Sequence, residues 1–125
     1  MKKVLFIFLF YCFICSSALA EWKEISDNHY ISSEKPLVRK NLVRTWFLVY
    51  KPAITTVNGI DAFSWVHLVE ADCNYGKIRG FASVYYDEDN NILDSYNFEN
   101  GTNWTYPHPD SVGEFEYKTL CKYRQ

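Results

Sequence analysis

Apolar and polar positions alternate with a period of two along most of the chain beyond residue 40. Asn41 to Lys51 is dense in Val, Thr, Trp, Phe and Tyr, which suit a pleated and half-buried surface, and Pro52 stops the run. Ala62 to Cys73 is the next predicted strand. Asn74-Tyr75-Gly76 turns the chain, Lys77 to Tyr86 returns, polar Asp87 to Asn91 turns it again, and Ile92 to Phe98 returns once more. Strands joined by turns this short predict an antiparallel meander. Trp22 to Ile25 and Asn28 to Ser32 are shorter candidates, cut off by Pro36, and Asn58-Gly59 marks a further turn.

The period changes near the C-terminus. Pro107 and Pro109 flank His108, and Asp110-Ser111 then opens a predicted helix over Val112 to Lys122. Ser111 followed by Glu114 reads as a capping box: the hydroxyl takes the third helical amide and the carboxylate returns to the cap amide. Gly113 weakens the helix by about 1 kcal/mol relative to Ala, so docking must contribute to its stability.

Alternate residues of a strand share a face. In Lys77 to Tyr86 the even set is Ile78, Gly80, Ala82, Val84 and Tyr86, and the odd set is Lys77, Arg79, Phe81, Ser83 and Tyr85. The even set is apolar, with small residues that admit a helix. Phe63, Trp65, Val69, Ala71 and Cys73 form the matching face of the preceding strand, and Ile92, Tyr96 and Phe98 share one in the following strand. The predicted fold is α+β: an antiparallel sheet of about five to six strands with one C-terminal helix packed on one face. The other face is not fully polar. Arg79, Phe81 and Tyr85 fall there, and Trp46 and Phe47 make both sides of the neighbouring strand apolar. Aromatics among charges mark that face as the candidate contact surface.

The N-terminal segment is of a different kind. Lys2 and Lys3 precede Val4 to Cys15, twelve residues without a charge, and Ala18-Leu19-Ala20 follows. This is the pattern of a cleavable signal peptide over residues 1–20, cut after Ala20, and the apolar run is shorter than the roughly 20 residues that span a bilayer. The expected mature domain is 21–125, exported, with membrane contact only through the signal before cleavage. Removing Lys2 and Lys3 from thirteen basic residues leaves eleven against fifteen acidic ones, a formal charge of −4. That balance excludes nucleic acid as a partner, since such binding draws on a basic field. Cys73 and Cys121 are the two cysteines left, an even pair in an oxidising compartment, and a disulfide is expected. A loop of that length is worth about 4 kcal/mol in the chain-entropy model.

Catalytic chemistry has no visible constellation. His29, His67 and His108 are scattered and lack a metal-ligand spacing. Asp87, Asp89 and Asn91 alternate like the start of a calcium loop, but Ile92 stands where the glycine is needed and Phe98 where the closing glutamate belongs. Glu70 and Asp72 share a strand face, as any solvated pair does. Asn100-Gly101-Thr102 and Asn103-Trp104-Thr105 match the glycosylation acceptor pattern, which would matter in a eukaryotic secretory pathway and is a coincidence in a bacterium, the source that the short Lys-Lys signal favours. The chain reads as a non-enzymatic protein with no cofactor.

The order of several small features resembles the bacterial surface-adhesin protein E family. They are Trp22, Tyr30-Ile31, Trp46, Asp72-Cys73, Lys77 to Arg79, Trp104 with Pro109-Asp110-Ser111, Glu114 and Cys121. The match covers nearly all of 21–125. The resemblance implies a sheet, a C-terminal helix and a disulfide between them. It also implies a periplasmic, outer-surface or secreted protein of a Gram-negative bacterium, and binding to a host extracellular-matrix protein. Pro107-His108 is an insertion relative to the family's pattern, and the hairpin at Asp87 to Asn91 is acidic. Two other uses suit a small disulfide-closed domain: inhibition of a host enzyme such as lysozyme, by docking of an acidic domain on a basic one, and a homodimer that buries the contact face.

Overall fold

The computed structural model describes residues 21–52 and 56–124. The expected signal peptide and its cleavage after Ala20 lie outside the described residues. The expected strands form close to where the alternation places them: β1 Trp22–Ser26, β2 His29–Ser32, β4 Leu42–Tyr50, β7 Ser64–Asp72, β8 Lys77–Tyr86 and β9 Ile92–Asn97. Three short strands add to them: β3 Leu37–Arg39, β5 Thr56–Val57 and β6 Ile60–Asp61. The helix α1 spans Val112–Cys121.

The main sheet has seven strands and runs β1-β2-β4-β7-β8-β9, with β3 pairing beside β2 on the other half of β4. All its pairings are antiparallel. β5 and β6 form a separate hairpin whose Asn58-Gly59 turn has positive φ at both residues, 52° and 78°. Asn-Gly supplies that geometry at low cost because both residues tolerate the left-handed region. At the β8–β9 turn the Asp87 carboxylate accepts from the amides of Asp89 and Asn91, each at 2.9 Å, and these bonds hold its pKa below the usual carboxylate value.

The helix covers one face. Ile31, Val43, Phe47, Val69, Ala71 and Leu120 make the core, and the Cys73–Cys121 disulfide closes its end, with the two Cα atoms 5.7 Å apart. Ser111 caps the helix with extended backbone, and its Oγ accepts the Glu114 amide at 3.2 Å. The reciprocal half of the cap differs from expectation. Glu114 Oε1 accepts from the Asp110 amide at 3.4 Å, because the Ser111 amide is already donated to His108 O. Gly113 has a packing reason: a Cβ there would stand 3.1 Å from Ile78 Cδ1.

One correction matters for everything that follows. Val69 pairs Gly80, and Leu68 pairs Ala82, so Phe81 is an extra residue in β8. Such a bulge reverses the in–out parity beyond it. Ile78 and Gly80 face the helix as expected, but Ser83 and Tyr85 now do so as well, and Ala82, Val84 and Tyr86 turn to the outer face. A second irregularity near Tyr86 and Ile92 separates Ile92 from Tyr96, which had been placed on one face.

Candidate functional site

The bulge divides the three residues assigned to the contact face. Phe81 and Arg79 remain outside; Tyr85 lies on the helix side, stacked parallel to Trp65 at 5.7 Å. Neither aromatic is free, since Phe81 is 8 % and Tyr85 7 % exposed. Burial raises the Tyr85 pKa.

On the outer face the sheet register sets Arg44, Glu70 and Arg79 side by side. Glu70 is 2 % exposed. Its Oε2 accepts from Arg44 Nε and Nη2 at 3.0 and 2.9 Å, and its Oε1 from Arg79 Nε and Nη2 at 3.0 and 2.7 Å. Two forks on one carboxylate leave it no lone pair to spare for acid–base work. The guanidinium groups are stacked in turn: Arg44 over Phe81 at 3.8 Å and Arg79 over Trp104 at 4.2 Å. Gly101 lies against this stack at φ +79°, where a Cβ would meet Arg79 Cδ and Phe81 Cζ at 3.0 Å. Arg79 and Phe81 are therefore parts of a closed structural cluster.

Farther along the same face the register aligns Trp46 with Leu68 and Ala82, and Leu48 with Val66 and Val84. The helix lies on the other side of the sheet. Trp46 is 37 % exposed, and Leu68, Val66, Ala82 and Val84 are half-buried. A shallow groove of about 390 Å³ runs here, with Trp46, Leu68, Val84 and Phe98 in its walls. This open apolar row was hidden in the sequence because the bulge moves Ala82 and Val84 into it.

The helix side holds a second buried carboxylate. Glu116 is 3 % exposed. His29 Nε2 and His67 Nε2 each stand 2.7 Å from its Oε2. The ring of Phe47 lies between the two imidazoles, at 5.6 and 5.8 Å, and Trp65 stacks on His67 at 3.6 Å. Burial pushes the Glu116 pKa up, but the charge and hydrogen bonds of His67 and His29 outweigh it and hold the group below its ordinary value. Three residues from β2, β7 and α1 thus converge that the sequence showed only as scattered. The signal for it is the place of Glu116 four residues before Leu120, on the buried side of the helix. His67 likewise stands in the alternation of Trp65, Val69 and Ala71.

The cluster is not arranged as a metal centre. Among the described residues no group of three His, Cys, Asp or Glu is placed to hold an ion. His67 Nδ1 is buried without a partner, whereas a metal-bound histidine normally donates from its second nitrogen. His108 is exposed, beside Pro107 at the helix N-terminus. No helix among the described residues is long and apolar enough to cross a membrane.

The sequence profile described as surface-adhesin protein E matches residues 19–122. No curated protein matches the chain. A structure of protein E from Haemophilus influenzae is 15 % identical, covering 84 % of this chain and 85 % of its own, with a TM-score of 0.50. A second, of protein E from non-typeable Haemophilus influenzae, is also 15 % identical and covers 81 % of this chain and 72 % of its own, with a TM-score of 0.47. The first likeness bears on the fold alone.

Proposed function

The chain belongs to the surface-adhesin protein E family, and on that premise we propose that it is an exported, non-enzymatic module that binds a host extracellular-matrix protein through the outer face of its sheet. The observation that carries the reading is the open row centred on Trp46 with its groove. Large aromatic side chains supply much of the binding energy in protein interfaces, most of all when neighbours exclude water around them. Leu68, Val66 and Val84 are placed to act as that surround. The closed cluster of Glu70 with its two arginines gives the row a rigid border. Export rests on Lys2, Lys3, the apolar run and Ala18-Leu19-Ala20. The mature protein is then expected to begin at Glu21, and exported protein that still carries Met1 on N-terminal sequencing would remove that step.

The test is a Trp46→Ser, Leu68→Ser double variant, measured for binding to a panel of immobilised matrix proteins and for mass by sedimentation. Loss of at least about tenfold in affinity with unchanged mass supports the reading, since truncating a central aromatic costs about 2 kcal/mol or more. Conversion from dimer to monomer assigns the row to contact between copies instead. Unchanged binding and unchanged mass in a folded variant overturn the assignment of the face.

A further inference from the structure

We propose that the N-terminal half of α1 is a hinged flap, latched to the sheet by Glu116 between His29 and His67, fixed at its far end by the Cys73–Cys121 bond, and released by acid.

The two halves of the helix are attached by different means. The C-terminal half is anchored covalently through Cys121, and Leu120 is fully buried in the core. Tyr117 Oη adds a bond to Cys73 O at 3.4 Å. The N-terminal half carries no covalent tie and is held by packing, with Gly113 against Ile78, and by hydrogen bonds. Beneath it lies a cavity of about 270 Å³ whose walls include Trp65, Val69, Ile78, Val112 and Gly113. It adjoins a wider groove of about 830 Å³ that shares Trp65, Ile78, Val112 and Gly113. Glu116 is the buried polar tie at the border of the two halves.

The latch holds one carboxylate and two imidazoles, and its surroundings add little charge. β2 contributes His29, and β7 contributes His67 with Trp65. β4 contributes Phe47, and the helix adds Phe115 beside His29 at 5.1 Å. β8 contributes Ser83 and the Tyr85 phenol, with Asp94 of β9 beyond it. His108 and Asp110 line the outer groove, and the Glu114–Lys118 pair stands on the solvent side. Protonation of Glu116 removes the charged acceptor that His29 Nε2 and His67 Nε2 share. Its loss favours the open form, where water solvates all three groups. For Glu116 the sign is definite. Its folded pKa is lowered, so its stabilising contribution is complete above the ordinary carboxylate value and is lost as pH falls through the lowered one. The covalent hinge keeps the opened segment attached, with Trp65 and Ile78 uncovered.

Hydrogen exchange of the oxidised mature domain, corrected for intrinsic rates, tests this between about pH 5 and about pH 3, the range through which the lowered Glu116 carboxyl takes up its proton. Protection of the amides at 114–117 is expected to fall by about fivefold or more on acidification, the effect of about one unit of linked pKa over this range, while β4 and β7 stay protected. In Glu116→Gln the same fall is expected to shrink to about twofold or less, because the titrating carboxylate is gone. If that variant does not fold, the His29→Gln, His67→Gln pair carries the comparison. An equal acid response in wild type and variant overturns the latch. Helix and sheet losing protection together in wild type also overturns it, because that is global unfolding.

Discussion

Glu70 and Glu116 show at the residue scale how differently two buried carboxylates can be held. Glu70 sits under two guanidinium forks, which are permanent cations. Glu116 is held by two imidazoles, His29 and His67, with no guanidinium or ammonium against it. Removing Glu70 would strand two cations on the outer face. Glu70→Ala is expected to cost about 3 kcal/mol in a urea titration, the low end for a broken buried pair, because Arg44 and Arg79 keep some access to water. A loss under about 1 kcal/mol would mean that the arginines are held by Phe81 and Trp104 instead. Neither cluster was legible in the sequence, for a physical reason. His29 and Glu116 are 87 residues apart, and Arg44 and Glu70 are 26 apart. Only the sheet order brings them together, and residue types alone do not encode it. Cys73 and Cys121 were legible because they are the two cysteines outside the expected signal peptide, an even pair that needs no geometry to be matched.

Among the elements, strand positions followed from the alternation to within a residue or two, because β-branched and aromatic runs between turn residues leave few other options. What the alternation did not carry was its own interruption. Arg79-Gly80-Phe81-Ala82-Ser83 reads as an unbroken period of two, yet Phe81 is extra, and the faces of Ala82 to Tyr86 exchange. The physical cause is visible in the fold: Arg44, Arg79 and Gly101 surround the Phe81 ring on the outer face, where the bulge places it. The helix start was legible because a cap is a local device. Ser111 Oγ both accepts the Glu114 amide and donates to His108 O. Ser111→Ala is therefore expected to lower stability by about 1 kcal/mol, measured by denaturant titration. No change would place the helix start at another residue.

The whole molecule is a sheet covered by a helix on one side and left partly open on the other. That asymmetry connects stability to the proposed use. An open apolar row gives up burial that a second layer would supply, so the covered side must hold the fold. It does so with a core that ends in Leu120, a buried carboxylate latch and a disulfide. The disulfide joins the end of α1 to the residue after β7, a central strand, across 48 residues of chain. Every element from β8 onward lies inside that loop. Cross-linking it restricts the unfolded chain by about 4 kcal/mol in the entropy model, and measured values are commonly smaller. Replacing both cysteines by serine is expected to lower unfolding stability by about 2–4 kcal/mol in urea, a large part of the margin typical of a domain this size. Oxidised and reduced wild-type protein should show the same difference as the serine variant. If they instead differ from each other by less than about 1 kcal/mol, the helix is held by Leu120 and Glu116 without covalent help.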